Sequence, residues 1–411
     1  METFLFFCRL SGQRLYFSTM NLVLFDDPVV RKDLMPFTLT RPVGAIRVGI
    51  RTIDEKWAAI SGGSVRFATE AYLGEKFRPN QASDPVFVNG ALCPNESLYE
   101  AIAGLGPGES LMKDGKLLAV RSDKPSATTK TKDYTGNLLL IDQVWKIFQF
   151  NADQLREDFK KITHGRKSQA ITDPHTRVYA PDQIFLEEGV QLNACVLNAS
   201  TGPIYLGKNS QVQEGAIIRG PFALGEESVV NMGAKIRGDT TVGPHCKVGG
   251  EISNSVIFGF SNKAHDGFLG NSVIGEWCNL GADTNTSNLK NNYEDVKIWN
   301  YGKGGFVSTG LMFCGLMMGD HSKCGINTMF NTGTVVGVSA NIYGDGYPRN
   351  FIPSFAWGGA AGFTTFQLKK VFETASRAME RRKVTLGEID KNILSVLFEQ
   401  SAPERVWEKK V

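Results

Sequence analysis

One aliphatic side chain at every sixth position marks the middle of this chain. Every member of the series is leucine, isoleucine or valine: Leu206, Val212, Ile218, Leu224, Val230, Ile236, Val242 and Val248. A fixed short period is typical of a solenoid, in which each short strand and turn directs one apolar side chain into a narrow interior. The chain is therefore predicted to form stacked coils, each of which buries the core of its neighbour.

The same spacing occurs in shorter runs on both sides of this series. These runs are Ile184, Val190 and Val196; then Phe268, Ile274 and Leu280; then Phe306, Met312, Met318, Cys324, Phe330, Val336 and Ile342. Residues 249–267 and 281–305 do not keep the period, so they are predicted to form excursions or loops on one edge of the solenoid. Insertions and surface loops are where solenoid proteins tend to carry their function, so a site is expected there.

The flanking segments follow other patterns. Residues 20–165 combine short apolar runs with amphipathic stretches, which predicts an α/β domain. Residues 175–347 are assigned to the solenoid and residues 348–411 to a tail of two helices. In that tail, Thr385 and Glu388 are predicted to form a capping box at the start of the second helix.

Composition narrows the functional classes. The chain has 411 residues, a formal net charge of +3 and seven cysteines. This near-balance of charge, without a basic block, gives no reason to expect nucleic acid as a partner, and no apolar run is long enough to span a bilayer. The cysteines lack the spacing of a disulfide framework, which favours a cytoplasmic setting. Residues 1–19 are set apart as a leader of unknown role, because Arg9 interrupts their apolar run well before signal-peptide length.

The first aperiodic stretch contains His265, one of five histidines in the chain. An imidazole titrates near neutral pH and can therefore accept a proton from an attacking amine. A turn histidine without any chemistry is the alternative interpretation. The residues after it form a more specific pattern: Phe268, Leu269-Gly270, Ile274-Gly275, Asn279-Leu280-Gly281-Ala282 and the Thr/Asn-rich segment 284–288.

This pattern, with the order of head, solenoid and helical tail, resembles the bifunctional N-acetylglucosamine-1-phosphate uridyltransferase / glucosamine-1-phosphate acetyltransferase family, in its shorter bacterial variant. The resemblance implies an α/β nucleotidyltransferase-like head, a left-handed parallel β-helix of hexapeptide repeats and two C-terminal helices. It implies that His265 is the general base of acetyl transfer. It also implies sugar-phosphate contacts from Arg237, Glu251, Phe268 and Asn279, and acetyl-CoA contacts from Ala282, Asn288 and Ser308.

Two positions depart from the family pattern. The family has a lysine soon after the glutamate that corresponds to Glu251, where this chain has Ser253 and Asn254, and it has a tyrosine where this chain has Phe268. Both departures fall on groups that the resemblance assigns to the sugar phosphate. They leave the identity of the amino-sugar acceptor open.

The head keeps the later part of a nucleotidyltransferase signature. The apolar run of residues 21–25 is followed by no glycine before Gly44, but Thr40-Arg41-Pro42 is present. The resemblance implies that Arg31 and Arg41 contact nucleotide phosphates. A solvated loop that happens to carry these cations is the alternative interpretation.

A magnesium ion is also implied by the resemblance. Asn89 and Asn151 stand where the family holds its metal ion. Asp26 and Asp27 are alternative ligands, because Mg²⁺ prefers one or two carboxylates together with substrate phosphates.

The resemblance as a whole implies a transferase of nucleotide-sugar synthesis, of the type that makes UDP-N-acetylglucosamine. Its substrates are a nucleoside triphosphate and a sugar 1-phosphate at the head and acetyl-CoA at the solenoid, and its assembly is a homotrimer. Two alternatives stay open. One keeps only uridylyl or thymidylyl transfer, with the solenoid as a trimer scaffold, and the other is a sugar-nucleotide-binding protein without catalysis.

Overall fold

The structure is a computed structural model that describes residues 20–77, 83–126 and 128–408. The leader predicted at residues 1–19 lies outside the described residues. The chain divides into two compact units. The first contains the described residues up to Asp27, Pro42–Ala45 and Thr52–Ile141; the second contains Pro28–Arg41, Ile46–Arg51 and the chain from Asp142 onward. The head predicted at 20–165 is therefore shared between the two units.

The first unit is built on a six-stranded mixed sheet. Its strands, in hydrogen-bonded order, are Arg66–Ala68, Leu22–Phe25, Val86–Asn89, Lys116–Arg121, Glu109–Lys113 and Lys130–Asp133. The first three run parallel, and two of them, Leu22–Phe25 and Val86–Asn89, are buried along their whole length, as parallel strands usually are. The unit also contains the helices Ile53–Ser61 and Glu96–Ala103, the 3-10 turns Val43–Ala45 and Ala71–Leu73, and the paired strands Leu92–Cys93 and Leu139–Leu140. The predicted α/β character is confirmed.

The second unit is built on a parallel β-solenoid with three walls. Wall 1 consists of Arg177–Tyr179, Val196–Asn198, Ile217–Arg219, Lys235–Ile236, Glu251–Ser253 and Phe268–Gly270. Wall 2 consists of Ile184–Leu186, Ile204–Leu206, Phe222–Leu224, Thr240–Val242, Val256–Ile257, Val273–Ile274, Met317–Met318, Val335–Val336 and Phe351–Ile352. Wall 3 consists of Gln191–Leu192, Gln211–Val212, Val229–Val230, Lys247–Val248, Asn262–Lys263, Asn279–Leu280, Lys323–Cys324, Asn341–Ile342, Ala356–Gly359 and Gly362–Thr365.

The aliphatic series of the sequence fills the interior of this solenoid. All eight side chains from Leu206 to Val248 are buried in one core cluster. In wall 2, Leu206 lies opposite Leu224 and Leu224 opposite Val242, so that each coil covers the apolar side chain of the last one. Removing these side chains from water stabilises the stack by roughly 1.5–3 kcal/mol each. The predicted fold class, a nucleotidyltransferase-like α/β head followed by a left-handed parallel β-helix and two C-terminal helices, is confirmed.

The loss of the period after Val248 has a different cause from the one predicted. Residues 249–267 are not an excursion, because they form wall strands: Glu251–Ser253, Val256–Ile257 and Asn262–Lys263. The interior positions Val248 and Lys263 are paired neighbours in wall 3 but are only fifteen residues apart, whereas Val230 and Val248 are eighteen apart. The six-residue step therefore fails because a coil is shorter, and the wall itself continues.

The second aperiodic stretch contains a true insertion. After the strand Asn285–Thr286, which pairs with Met329–Phe330, the chain leaves the coil and forms an antiparallel hairpin of Lys297–Asn300 and Gly305–Ser308. Phe306 and Met312 were predicted to be core residues, but they lie in this insertion and are 51% and 44% exposed, so that prediction is wrong. The residues of an excursion do not belong to any wall. A six-residue step counted across them therefore does not identify interior positions.

The predicted register is also off by one residue at two coils. Phe268 and Val196 were assigned to the interior, but both are only partly buried, while the interior is filled by Leu269 and Leu197. Because coil lengths vary, a fixed step of six drifts, and a shift of one residue moves a side chain to the opposite face of a strand.

In the sequence, the helices of this unit come before and after the solenoid strands. They are Pro28–Asp33, Val144–Gln149, Asn151–Thr163, Leu368–Glu380 and Glu388–Gln400, with 3-10 turns at Phe37–Leu39, Pro181–Gln183, Ala402–Glu404 and Val406–Glu408. Wall strands continue to Thr365, so the helical tail begins later than the predicted residue 348. The prediction of a capping box at Thr385 and Glu388 is also wrong. The last helix begins after Gly387, and no side chain caps it, so Thr385 lies outside the helix. Within the described ranges, no helix has the length and apolar character needed to cross a membrane.

Candidate functional site

His265 lies in the turn that leads from wall 3 to wall 1. The turn follows Lys263 and ends at Phe268, and the His265 side chain is exposed, so its predicted place on an edge of the solenoid is confirmed. The corresponding turn of the coil before it is unusually short, because four positions separate Val248 from Ile252 where six are usual. Its Gly250 has a φ of +69°, and a Cβ at this residue would lie 2.7 Å from the His265 carbonyl oxygen. Only glycine therefore allows the two turns to approach so closely.

The short turn opens a cavity beside His265. Because the turn at Gly250 is short, the turns stacked on either side of it extend further from the solenoid than it does. A notch of about 340 Å³ lies between them. Its lining is mainly polar: Gln213, Asn231, Met232, Gly250, Ala264, His265 and Asp266. The Asn231 amide donates to the Ala264 carbonyl oxygen at 2.8 Å, which ties the two projecting turns together. No motif in the sequence marks Gln213, Asn231, Met232 or Asp266 as part of the site. Their only signal is the shortened turn.

Three of the four predicted sugar-phosphate residues lie on the outer surface of wall 1. Glu251 pairs in register with Phe268, and Arg237 forms an ion pair with Glu251 at 3.0 Å. The Arg237 side chain is 65% exposed, so its guanidinium is accessible to a ligand. Asn279 lies instead on the outer surface of wall 3, one coil beyond Asn262. The turn of His265 joins these two walls, so the four residues flank the histidine from two sides.

The predicted acetyl-CoA residues are not gathered in one place. Ala282 lies in the same corner as His265, one coil further along, and its carbonyl oxygen accepts from the Asn327 amide at 2.8 Å. The Asn288 side chain donates to the Asn271 side chain at 2.7 Å, beyond the end of wall 1. Ser308 is exposed at the end of the inserted hairpin. Within one chain, only Ala282 shares the corner of the histidine.

Arg41 is buried in a cluster of opposite charges. Its guanidinium forms a salt bridge with Asp320, reaches Glu276 at 3.3 Å and lies 5.0 Å from the centre of the Phe258 ring. The Thr40 hydroxyl donates to the same Asp320 carboxylate at 2.8 Å. Burial opposes the charge on Arg41, but these carboxylates more than offset it, and the pKa of the guanidinium lies above its ordinary value.

Both arginines to which the resemblance assigns phosphate contacts are buried. Arg31 is 4% exposed and Arg41 is 6% exposed, and the Arg31 guanidinium donates to the Arg41 carbonyl oxygen at 3.4 Å. A phosphate would have to displace Asp320 in order to reach Arg41. The structure therefore favours a structural role for Arg41, in which it joins the segment Pro28–Arg41 to the solenoid, and phosphate binding by the two arginines stays a prediction.

The two asparagines proposed for Mg²⁺ do not fit that ion as they are placed. Asn151 is fully buried, and its amide oxygen accepts from the Gly49 amide at 2.8 Å and from the Thr241 hydroxyl at 3.1 Å. Its nitrogen donates to the Asp239 carbonyl oxygen. In the first unit, the Asn89 oxygen accepts from the Ala91 amide at 3.1 Å. Neutral amides whose oxygens are already used are poor ligands for a hard cation.

One of the two alternative carboxylate ligands, Asp26, is also engaged inside the first unit. One oxygen of Asp26 accepts from the Val43 amide at 2.8 Å and the other from the Thr69 hydroxyl at 2.6 Å. The described residues contain no group of three or more His, Cys, Asp or Glu side chains arranged to hold a metal ion. No chemical step is therefore assigned to a bound metal.

The end of the parallel strands is nevertheless the natural place for a nucleotide in the first unit. Ligands of α/β sheets bind at the carboxyl ends of the strands. There, Gly90 packs so closely that an added Cβ would lie 3.1 Å from both the Gly44 nitrogen and the Phe25 carbonyl oxygen. This close backbone packing leaves little room for a side chain at Gly90.

Comparisons with known proteins match parts of the chain. Residues 22–167 match the model of the sugar nucleotidyl transferase family. A bifunctional sugar-1-phosphate nucleotidylyltransferase/acetyltransferase from Sulfurisphaera tokodaii is 37% identical over 93 residues, which is 23% of each chain. An uncharacterized Escherichia coli acetyltransferase, YaiX, is 33% identical over 153 residues, which is 36% of this chain and 66% of that one.

The solved structures add only a remote similarity. A UDP-N-acetylglucosamine acyltransferase from Arabidopsis is 17% identical, with 59% of this chain and 85% of that chain covered, at a TM-score of 0.25. That score is too low to support an argument about the site. The matches to the family model and to the relatives confirm the resemblance predicted from the sequence. This chain spans about a quarter of the length of the first relatives it matches, so the activity of the whole protein is a matter for proposal.

Proposed function

We propose that the protein is a transferase of nucleotide-sugar synthesis with two activities. Its N-terminal part transfers a nucleotidyl group to a sugar 1-phosphate, and its solenoid transfers an acetyl group from acetyl-CoA to an amino-sugar phosphate. The finer assignment is the synthesis of UDP-N-acetylglucosamine. The match of residues 22–167 to sugar nucleotidyl transferases supports the first activity. The observation that carries the second is the exposed His265 at the rim of a polar notch.

The proposed chemistry at the notch needs one proton acceptor. The amine nitrogen of the sugar attacks the thioester carbonyl, a C–N bond forms, the C–S bond breaks, and coenzyme A leaves as a thiolate. The His265 imidazole accepts the proton that the attacking nitrogen loses and can return it to the thiolate. Arg237 is an exposed cation on the neighbouring wall, and a sugar phosphate would compete there with Glu251 for the guanidinium.

Pyrophosphate release tests the first activity and separates it from the non-catalytic alternative. With magnesium, the protein is expected to release pyrophosphate from UTP or dTTP when glucosamine 1-phosphate, N-acetylglucosamine 1-phosphate or glucose 1-phosphate is present. The same panel with acetyl-CoA tests acetylation by the appearance of free thiol. The His265→Ala variant is the control, because it should release pyrophosphate at the wild-type rate. Silence over the whole panel would favour a sugar-nucleotide-binding protein, and pyrophosphate release without any thiol would favour a solenoid that serves only as scaffold.

The resemblance implies a homotrimer, and the corner that carries His265 presents exposed apolar side chains that another copy would bury. Met232, His265, Ala282 and Ile326 occupy equivalent places in four turns of this corner, with the short turn at Gly250 between the first two. Met232 is 69% exposed and Ile326 is 71% exposed. Burying them against another copy would gain free energy and would cover the notch. Light scattering at micromolar concentration should give three times the chain mass. A monomer mass would contradict this prediction.

A cytoplasmic location stays a prediction from the composition.

A further inference from the structure

A lysine occupies the interior of the solenoid directly before the turn of His265. In wall 3, Lys263 is paired with Val248, and it takes an interior place in the row that continues with Leu280. Both of those neighbours belong to the apolar core, and Lys263 itself is 1% exposed. A lysine is a poor choice for packing alone, because burying an ammonium group costs free energy that an aliphatic residue would not cost.

The ammonium group of Lys263 is held by the turns that build the notch. It donates to the Gly249 carbonyl oxygen at 3.2 Å, to the Asp266 carbonyl oxygen at 3.1 Å and to the His265 carbonyl oxygen. The three donors of the ammonium group thus match three backbone acceptors. One acceptor belongs to the shortened turn at Gly249, and the other two belong to the turn that carries the predicted general base.

The surroundings allow this charge without a direct ion pair. Burial lowers the pKa of Lys263 to about 8, although the carboxylates of Asp266 and Asp283 act in the opposite direction. Carbonyl dipoles supply the remaining stabilisation. The contacts point to the backbone of the turn, and none of them involves the imidazole ring.

We infer that Lys263 is a positioning residue that fixes the turn of His265 against the shortened turn at Gly249 and so aims the imidazole into the notch. This inference rests on the proposed acetyl transfer. Without the ammonium group, the His265 and Asp266 carbonyl oxygens would turn towards water, and the exposed turn would sample many orientations. A displacement of about 1 Å can lower the rate of a reaction about 100-fold when geometry is the main contribution.

The matched pair of variants is Lys263→Met and Lys323→Met. Methionine keeps the length of the side chain and suits an apolar interior. Lys323 makes similar contacts elsewhere: it is half-buried and donates to the His321 carbonyl oxygen at 2.9 Å and to the Trp277 carbonyl oxygen at 3.4 Å. The Lys323→Met variant therefore controls for the loss of a lysine that binds turn carbonyl oxygens at another corner of the solenoid.

The Lys263→Met variant is expected to lower the kcat of acetyl transfer by about 10- to 100-fold with little change in KM. Its thermal midpoint should not fall, because an apolar side chain replaces a buried charge.

Hydrogen exchange gives a readout that does not depend on activity. The amides of Glu251 and Phe268, which donate to the Gly267 carbonyl oxygen and to the Asn285 side chain, bracket the turn and should exchange about tenfold faster. Lys323→Met should leave both readouts at these positions unchanged.

The outcomes separate this inference from the proposed function. Unchanged exchange and unchanged kcat in Lys263→Met would overturn the positioning role, and so would a fall in kcat that Lys323→Met reproduces. A wild-type protein that never acetylates any amino-sugar phosphate would overturn the proposed function and with it any catalytic purpose of Lys263. In that case, faster exchange in the variant would still identify Lys263 as the anchor of this turn.

Discussion

Replacing His265 by alanine is expected to lower acetyl transfer by roughly 10²- to 10⁴-fold, the range typical of a lost general base. The attacking amine would then have to give its proton to water, because no other histidine lines the notch. The side chain is exposed, so its loss leaves no cavity, and the thermal midpoint should hardly change. Free thiol released from acetyl-CoA measures the rate, with amino-sugar phosphates as acceptors.

The control for this variant is another exposed histidine. His175 precedes the first strand of wall 1 and is also exposed, so His175→Ala removes an imidazole from the surface without touching the notch. It should acetylate at the wild-type rate. If His265→Ala is as fast as the wild-type protein, then His265 is a turn residue without any role in the reaction.

Replacing Arg41 by alanine is expected to lower the free energy of unfolding by about 3–5 kcal/mol, as happens when one partner of a buried ion pair is removed. Asp320 would keep a buried carboxylate with only the Thr40 hydroxyl and the Glu276 amide as donors, and Glu276 would lose its nearest cation. Thermal denaturation followed by circular dichroism measures the effect. This expectation differs from the role that the resemblance implies for Arg41, because the loss of a phosphate contact alone would leave the fold intact.

Two further variants test the cause of that loss. Arg237→Ala removes an arginine from an exposed ion pair with Glu251, and its cost should stay below about 1 kcal/mol. In the double variant Arg41→Met with Asp320→Asn, neither partner keeps a charge, so part of the loss should be recovered. If Arg41→Ala is as stable as the wild-type protein but fails to release pyrophosphate, Arg41 is a phosphate ligand and the buried cluster is not essential to the fold.

Much of the solenoid was predictable because its physics is local and repetitive. One aliphatic residue per six positions is enough to predict a stack of short strands, and every member of the series from Leu206 to Val248 is in the core. The prediction failed where it assumed a constant coil length. Sequence spacing alone could not distinguish an insertion, as at residues 287–316, from a shortened coil, as between Val248 and Lys263.

The candidate site shows the same division. By itself, the sequence determined the hexapeptide period and the resemblance that singles out His265, because both follow from residues close together in the chain. Only the tertiary structure decided that Gly250 opens a notch, that Lys263 reaches the carbonyl oxygens of the His265 turn, and that Arg41 meets Asp320, 279 positions away. These facts depend on which turns and segments are stacked on each other. Spacing along the chain does not encode that stacking once the coil lengths vary.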